Sequence, residues 1–318
     1  MDIRPCRESD LATIVDLINC GAAADEIDCG TSILELGGWW DGCSIQLPRD
    51  GILAVQDGRP VGYAMLDRRP DPSGNQYSEF AVSGGVLPAF RRLGVGAALL
   101  AECEQRALRR LDDVARQRVS LMVWVNVRQV SLAALCRSRG FEVSRTFLTM
   151  EYKYSGLDTA CPPPGYSIRL MSSVEAEPVK RVLEIAFHDH WGHPTMTLQE
   201  WRNWHPDPVL FPELTYVALA PDGSLAGVCH CIINEYQNRR LGTNRGWVED
   251  LGVLRQHRGR GLGRALLMEG VAGLLSAGCT SVLLDVDAEN PTGALHLYRS
   301  AGFRLYDEIV VWRKMLRC

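Results

Sequence analysis

The hydrophobic and polar positions of the chain form the same series of patterns twice. Short apolar runs typical of strands alternate with segments whose apolar residues recur at helical spacing. In the first half the predicted strands are 52–56, 61–67, 77–86, 120–125 and 141–154, and the predicted helices are 9–19, 97–107 and 130–138. In the second half the predicted strands are 166–170, 214–220, 225–234, 246–253, 281–287 and two closing strands within 303–316, and the predicted helices are 173–187, 198–204, 264–277 and 291–301. Each half is therefore expected to form an α/β (α+β) domain, a mixed sheet flanked by helices.

A proline-rich segment separates the two patterns. Residues 161–165 read CPPPG, which can sustain neither a helix nor a central strand. We therefore divide the chain into a domain 1–156, a linker 157–165 and a domain 166–318. The two domains also begin alike, because Ile3-Arg4-Pro5 and Ile168-Arg169-Leu170 each lead into an amphipathic helix. Two copies of one fold explain this repetition.

A glycine-containing turn lies between a strand and a helix in each copy. Residues 87–96 read LPAFRRLGVG, and residues 254–263 read LRQHRGRGLG. Both contain Arg-x-x-Gly-x-Gly, in which the glycines allow the backbone to approach an anion closely. The unpaired amides of a helix start, together with the helix dipole, favour negative charge. The sequence therefore predicts two phosphate-binding turns.

Composition excludes several classes of function. The 318 residues are 46% hydrophobic and 23% charged, as in ordinary globular proteins, and the net charge is −4. A chain with this negative net charge is not expected to have the basic surface of a nucleic-acid-binding protein. The sequence has neither an apolar run that could span a membrane nor a secretory signal pattern, so we expect a cytoplasmic protein without a membrane partner. The eleven cysteines contain no C-x-x-C pair, which favours reduced, mostly buried thiols.

The two turns resemble those of the GCN5-related N-acetyltransferase (GNAT) family, in which Arg-x-x-Gly-x-Gly binds the pyrophosphate of acetyl-CoA. Further along each copy, Gly140-Phe141 and Gly302-Phe303 close a helix, which strengthens the resemblance. It covers nearly the whole chain and implies two GNAT-type domains, each with a largely antiparallel sheet and a splayed central cleft. It also implies acetyl-CoA as co-substrate, no metal, and direct transfer of the acetyl group to a primary amine of a small molecule.

The resemblance assigns coenzyme contacts residue by residue. In the second copy these are the strand residues Leu251, Gly252 and Val253, the turn residues Arg258, Gly259, Arg260, Gly261, Leu262, Gly263 and Arg264, and Asn290. The arginines are expected to add charge near the phosphates, and Asn290 is equally suited to cap the following helix. In the first copy the assigned residues are Val86, Arg91, Arg92, Gly94, Val95 and Gly96. There, glycines that serve only packing are the alternative.

The same resemblance suggests a base and an acid in the second copy. Glu249 lies four residues before Val253 on one predicted strand, and such strands carry the base in some family members. Asp250 is an alternative base. A third possibility is that neither residue acts as the base. Tyr298 precedes Gly302 by four residues, where the family often has a tyrosine that protonates the departing thiolate. A buried tyrosine that only packs is the alternative.

The first copy is expected to be catalytically impaired. A shift of 167 residues places Val82 at the base position, and counting back from Gly140 places Cys136 at the acid position. Neither residue can replace its counterpart, although a bulge at Gly84-Gly85 could bring Glu79 into the site. We therefore expect one working centre and, in the first copy, an acyl-CoA site with a structural or regulatory role.

Three further segments are candidates for acceptor binding or domain contacts. All seven histidines lie in the second half, and several crowd with tryptophans into 188–205. We expect His190, Trp191 and Trp204 to contact the acceptor as a lid; an aromatic plug between the halves and a metal site are the alternatives. A predicted loop, 235–245, has arginines that either attract an acidic group or are simply solvated. The segment 25–41 forms either a lid or a domain contact.

A function from a different class remains possible at this point. The chain could be a non-catalytic sensor or scaffold that binds acyl-CoA. Aminoacyl transfer from charged tRNA is disfavoured by the acidic net charge and by two competent pyrophosphate turns. The sequence does not indicate the oligomeric state, the acceptor amine or the preferred acyl chain.

Overall fold

The structure, a computed structural model, describes residues 1–42, 45–69, 77–110, 118–153, 161–188, 190–191, 214–290 and 292–317. The strands are β1 (Asp2–Pro5), β2 (Gly51–Gln56), β3 (Arg59–Arg69), β4 (Tyr77–Val86), β5 (Arg118–Asn126), β6 (Glu142–Lys153), β7 (Ser167–Leu170), β8 (Thr215–Leu219), β9 (Leu225–Ile232), β10 (Arg245–Val253), β11 (Ser281–Asp287) and β12 (Arg304–Arg317). The helices are α1 (Leu11–Ala24), α2 (Ile33–Gly42), α3 (Val95–Arg109), α4 (Val130–Ser138), α5 (Ala176–Phe187), α6 (Glu235–Leu241), α7 (Leu262–Ser276) and α8 (Ala294–Ser300).

The chain forms two compact units. The first contains Met1–Thr146 together with Glu308–Cys318, and the second contains Phe147–Asp307. Each unit has a sheet with helices on both faces, as expected when a mixed sheet buries both its sides. The expected α/β class with two similar domains is confirmed.

The sheet of the first unit has the order β1-β2-β3-β4-β5-β12. Its neighbouring strands are antiparallel except for the parallel pair β4 and β5. Helices α1 and α2 bury one face, where Ile14 and Trp40 meet the strand residues Leu53 and Met65. Helices α3 and α4 bury the other face, which has its own apolar core.

The second unit repeats this arrangement in the order β6-β11-β10-β9-β8-β7. Again a single pair, β10 and β11, is parallel. Helices α7 and α8 cover one face with Leu262, Leu266 and Tyr298 in its core. Helix α5 covers the other face, where Val179 and Leu183 pack on β8 and β9.

The closing strands are exchanged between the two halves of the sequence. Strand β12 comes from the second half, but residues 309–317 pair with β5 in the first unit. Strand β6 comes from the first half, but residues 147–153 pair with β11 in the second unit. The compact units therefore differ from the division 1–156 and 166–318 at these two strands, because an alternating pattern predicts a strand and does not identify its partner.

The central parallel strands separate in each unit. In the first unit the pairing of β4 and β5 ends at Val82 and Val123. In the second unit the pairing of β10 and β11 ends at Trp247 and Leu283, although both strands continue. The separation opens one edge of β4 and of β10 just before the glycine-containing turns. It corresponds to the splayed cleft that the family resemblance implies.

Several predicted elements differ from the structure. The two closing strands expected within 303–316 form one continuous strand, β12. The expected loop 235–245 contains α6, whose N-cap residue Asn234 accepts a hydrogen bond from the amide of Gln237. The predicted helix 198–204 lies outside the described residues. Within the described ranges, no helix is long and apolar enough to cross a membrane.

Candidate active site

The turn before α7 presents backbone amides at a helix start. Gly259 and Gly261 have φ angles of +73° and +85°, in the left-handed region that glycine adopts readily. Gly261 is the N-cap of α7, and no side chain caps this helix. The first amides of α7 have no acceptor within the helix, and the helix dipole adds to their attraction for anions. Leu262 itself is fully buried, so it can offer a ligand only its backbone.

Arg258 holds this turn in place. Its Nε donates to the carbonyl oxygen of Val253 at 2.8 Å, and its Nη2 donates to the carbonyl oxygen of Ala186 at 2.9 Å. The guanidinium thus ties the turn to the ends of β10 and α5. The charge near phosphates expected from Arg258 is engaged in these contacts, whereas Arg260 is exposed beside the turn and Arg264 is half-buried in the first turn of α7.

The first copy builds the same turn. Gly94, with φ +87°, is the N-cap of α3, and again no side chain caps the helix. Arg91 donates from Nε to the carbonyl oxygen of Val86 at 3.1 Å and forms an ion pair with Asp25. Arg92 adopts φ +64°, the left-handed conformation for which the second copy has a glycine. The two turns therefore share one backbone design and one arginine clamp.

Glu249 lies in a β-bulge at the opened part of β10. In the pairing of β9 and β10, Val248 lies opposite Cys231 and Asp250 lies opposite His230. Glu249 is therefore the extra residue of the bulge. Beyond it, the predicted arm-binding residues 251–253 pair with β9 on one side. Their other side faces the opening left by β11, where a ligand could add as an extra strand.

The bulge gives Glu249 an unusual carboxyl group. Its side chain is open to the cleft, but the surrounding protein still raises its pKa to about 8, first by desolvation and then through the charges of Asp250 and Asp285. A carboxyl with this pKa can exchange protons near neutral pH. Asp250 differs because its Oδ2 lies 3.5 Å from Nδ1 of the fully buried His230. Of the two alternatives, Glu249 is thus better suited to act as a base.

Tyr298 lies on α8 and is 8% exposed. Its ring packs against Phe303 with the centroids 6.1 Å apart. Burial raises the pKa of Tyr298 above its ordinary value, with smaller contributions from Cys229 and Asp250. The phenol therefore stays protonated over the working range of pH and can donate a proton.

Asn290 does not cap α8. That helix begins at Ala294 with Gly293 as its N-cap. Oδ1 of Asn290 instead accepts a hydrogen bond from the amide of Thr292 at 2.8 Å, which stabilises the turn after β11. Of the two expected roles, the N-cap is wrong, and contact with the coenzyme stays a prediction.

The predicted lid is described only in part. The His190 ring packs on Phe187 at 5.3 Å between centroids, and the Trp191 ring lies 5.9 Å from that of Phe147 on β6. Both residues therefore adjoin the face of the sheet covered by α5. Trp204 lies outside the described residues. Within the part of the chain that the structure describes, no three potential metal ligands gather at one point.

The arginines of the 235–245 segment have protein partners. Arg239 forms an ion pair with Glu235 at 2.9 Å on α6. Arg245 lies at the start of β10, where Nη2 donates to the hydroxyl of Tyr306 at 3.0 Å and the guanidinium stacks on its ring. These contacts favour a structural role for both side chains.

The first copy contains a cavity of about 780 Å³ along its own opened strands. Its lining includes Arg91, Gly94 and Gly96 of the turn, with Val82 and Trp124 on the strands. The Val95 side chain is buried in the core, so only its backbone can contribute. The cavity thus joins the glycine-containing turn to a mainly apolar channel.

The residues expected at the base and acid positions supply neither group to this cavity. Its lining does include Asp25, Asp67 and Tyr63, but Asp25 and Asp67 form ion pairs with Arg91 and Arg69. The register of β3 and β4 runs unshifted from Val86 to Glu79, so the expected bulge at Gly84-Gly85 is absent from this pair of strands. Glu79 instead forms an ion pair with Arg313 at 2.8 Å. Cys136 is fully buried, and burial raises its pKa to about 12. The expectation that Glu79 could be brought into the site is therefore wrong.

The bulge also corrects the alignment of the two copies. Val86 and Val253 hold the same place before their turns, as the matching arginine contacts show. Because only β10 contains the extra residue, counting back places Val82 opposite Val248. Glu249 therefore has no counterpart in the first copy. The shift of 167 residues used in the sequence analysis had aligned Val82 with Glu249.

Comparison with known proteins identifies the family. The sequence profile of the Acetyltransferase (GNAT) family matches residues 28–141 and 176–303, one match in each copy. The chain belongs to this family. The resemblance is confirmed, and the protein is an acetyltransferase built from two GNAT domains.

Curated relatives cover most of the GNAT chain. A mycothiol acetyltransferase of Thermomonospora curvata is 33% identical over 267 residues, which cover 82% of this chain and 81% of the relative. Another mycothiol acetyltransferase, of Geodermatophilus obscurus, is 29% identical over 312 residues, which cover 96% of this chain and 94% of that relative. The similarity therefore includes both copies of the fold.

Solved structures share the doubled architecture. The crystal structure of a GCN5-related N-acetyltransferase from Sphaerobacter thermophilus superposes with a TM-score of 0.78 at 27% identity, covering 100% of this chain and 96% of that one. A tandem GNAT protein from the clavulanic acid biosynthesis pathway has a TM-score of 0.72 at 19% identity, and the match covers 100% of this chain and 99% of that one. The second similarity shows the fold alone.

The sequence analysis missed two polar residues beside the opened strands. Asp285 interrupts an apolar run on β11, and Thr149 on β6 donates a hydrogen bond to it at 2.6 Å. The signal for Asp285 was present, since an acidic residue inside a buried strand is uncommon. Thr149 gave no signal, because its strand was expected to belong to the other domain.

Proposed function

We propose that the second copy transfers the acetyl group of acetyl-CoA to a primary amine of a small molecule. The observation that carries this proposal is the bulge at Glu249, which combines a carboxyl of raised pKa with the opened edge of β10. The uncapped start of α7 follows on the same segment. An anion site, an edge for an extended arm and a proton acceptor thus lie along one stretch of chain.

The coenzyme would be held mainly by backbone groups. Amides of the turn 258–263 would bind the diphosphate, with Arg260 and Arg264 adding positive charge. The pantetheine arm would pair with residues 251–253 like an added strand. Amides of that strand would polarise the thioester carbonyl and stabilise the negative charge that develops on its oxygen.

Three proton transfers complete the reaction. The carboxylate of Glu249, directly or through a water molecule, would remove a proton from the bound ammonium group. The free amine then attacks the thioester carbon, and the tetrahedral intermediate collapses with cleavage of the carbon–sulfur bond. The Tyr298 hydroxyl would protonate the departing thiolate, and its phenolate would regain a proton from the product nitrogen, which loses this second proton to become a neutral amide. A ternary complex is required, because no acyl group is passed to the protein.

The first copy would bind acyl-CoA without transferring its acyl group. The matching turn and the adjoining cavity support binding, and the lack of a counterpart to Glu249 argues against chemistry. This unit would thus bind acyl-CoA without catalysis. The alternative function, a non-catalytic sensor or scaffold, assigns this same role to the whole chain.

The acceptor is proposed to be a small molecule. Curated relatives are named mycothiol acetyltransferase, and the doubled layout also resembles that of mycothiol synthase. The amine precursor of mycothiol is therefore a suitable first acceptor to test. His190, Trp191 and Trp204 remain proposed acceptor contacts.

The test separates chemistry from coenzyme binding. Glu249→Gln and Tyr298→Phe should each lower kcat by about 100-fold or more, as expected for loss of an acid or base. Acetyl-CoA affinity, measured by calorimetry, should stay within about twofold of the parent protein, since the turn amides are intact. Matched controls are Glu269→Gln on the exposed side of α7 and Tyr216→Phe on β8, which should retain activity.

Two results would contradict the proposal. Full activity in both variants would exclude the assigned base and acid. Tight coenzyme binding without acetylation of any amine in a broad panel would instead favour the sensor. A crystal structure with acetyl-CoA would then show which of the two turns is occupied.

A further inference from the structure

Asp285 is a charged residue within an otherwise buried strand. Its neighbours on β11, Leu284 and Val286, are 1% and 4% exposed, whereas Asp285 opens to the cleft. Desolvation by the surrounding protein raises the pKa of the Asp285 carboxyl, the hydrogen bond from Thr149 lowers it, and the charge of Asp307 raises it again. Because this desolvation disfavours the charged form, the fold alone does not account for an aspartate at this position.

Asp285 lies opposite Glu249 where the strands separate. Trp247 and Leu283 form the last pair of β10 and β11. Glu249 lies two residues after Trp247, and Asp285 lies two residues after Leu283. The charge of Asp285 contributes to the raised pKa of Glu249. The charge of Asp285 thus acts on Glu249 at the point where the two strands separate.

Thr149 orients the Asp285 carboxylate. The Thr149 residue is 8% exposed, and its Oγ1 donates to Oδ1 of Asp285 at 2.6 Å. This contact fixes one oxygen and leaves Oδ2 for another donor. Among the residues that the structure describes, no lysine, arginine or histidine forms an ion pair with Asp285 or Glu249. Asp250, in contrast, has His230 as its neighbour.

The corresponding position in the first copy is apolar. Asn126 and Asp287 are the last residues of β5 and β11 and occupy equivalent places, since the side chain of each accepts a hydrogen bond from the amide two residues ahead. Counting back from them places Trp124 opposite Asp285. The copy that lacks a counterpart to Glu249 therefore also lacks the second carboxylate. This joint absence links the pair to the chemistry of the second copy and not to the fold.

We infer that Asp285 is a specificity-determining residue that binds a second positively charged nitrogen of the acceptor, oriented for this role by Thr149. The acceptor class is a small diamine: one nitrogen reacts beside Glu249, and the other stays protonated against Oδ2 of Asp285. This inference rests on the proposed acetyl transfer by the second copy. An oriented carboxylate at the acceptor position disfavours an acceptor that cannot supply the matching charge.

The test compares putrescine with butylamine, which has the same carbon chain and a single amine. The parent protein should favour putrescine in kcat/KM by about tenfold or more, the value of one charged hydrogen bond. Asp285→Asn should remove this preference by raising the KM for putrescine, with kcat and the values for butylamine little changed when measured on the high-pH plateau of the profile. Thr149→Val should reduce the preference in part. Asp222→Asn, the same change at an exposed turn, is the control.

A pH profile gives a readout that a purely structural role would not move. Loss of the Asp285 charge should lower the pKa of Glu249, so the rise of kcat/KM for butylamine should shift to lower pH in Asp285→Asn. Equal losses for both amines with an unshifted profile would overturn the inference. If no amine is acetylated, the proposed function fails separately. Calorimetry of putrescine with the CoA-bound parent protein and with Asp285→Asn then decides, and equal affinities would overturn the role of Asp285.

Discussion

At the scale of single residues, one inserted side chain separates the two copies. Both have the left-handed glycine at the helix start and the arginine clamp behind it. Only β10 has the bulge that adds Glu249. Insertion of one residue in a strand redirects the side chains around it, so the absence of a counterpart to Glu249 from the first copy follows from one change in register.

The raised pKa of Glu249 predicts how activity depends on pH. The base works as a carboxylate, and its pKa of about 8 lies above that of an ordinary glutamate. Activity should therefore be low at pH 6, rise through a midpoint near this pKa, and level off above it. Initial rates of kcat/KM against pH would show this rise. A midpoint near that of free glutamate would contradict the proposed base, as would an unchanged profile in Glu249→Gln.

The sequence predicted some of these residues because their signals are local. The family resemblance suggested Glu249 and Tyr298 through their distances from the turn and from Gly302, and their roles stay predictions. Their environments were not predictable, because desolvation depends on elements distant in sequence. The contact between Thr149 and Asp285 spans 136 residues, and no short-range pattern reports it.

At the scale of elements, the arginine of each turn is a structural anchor. Arg258 joins the turn to the carbonyl groups of Val253 and Ala186. Arg260 is exposed beside the same turn, and its proposed contribution is positive charge alone. We therefore expect different roles for the two arginines of one motif: Arg258 shapes the turn, and Arg260 would add charge beside a bound anion.

This division predicts different effects of two alanine substitutions. Arg258→Ala leaves two carbonyl groups without their donor, which should cost about 1–3 kcal/mol of stability and also weaken acetyl-CoA binding. Arg260→Ala should leave stability within about 0.5 kcal/mol and weaken coenzyme binding in a salt-dependent way. Denaturant unfolding and calorimetry at two salt concentrations measure both effects. Equal stability of the two variants would contradict the anchor role.

Element types were predicted better than element partners. Strands β4 and β11 and helix α4 have the predicted bounds, since apolar periodicity is local. The helix α6 was missed because its seven residues are mostly polar and depend on the Asn234 cap. The bulge in β10 was also missed, because an extra residue is visible only against the register of β9.

At the scale of the whole molecule, the exchanged strands make the two halves of the sequence depend on each other. Trp312 of β12 belongs to the core of the first unit. Met150 and Tyr152 of β6 belong to the core of the second unit. Burial of each large apolar side chain contributes about 1.5–3 kcal/mol. Removal of either closing strand would also leave the edge of a sheet unpaired.

The exchange predicts the result of cutting the chain between Lys153 and Cys161. A protease site inserted there should yield two fragments that remain associated and active, because each compact unit contains a strand from the other fragment. An affinity tag on one fragment should retain the other under native conditions and release it in denaturant. Each fragment produced alone should lack cooperative unfolding, since its sheet is missing the closing strand. Two fragments that separate under native conditions and unfold cooperatively by themselves would show that each half of the sequence closes its own sheet.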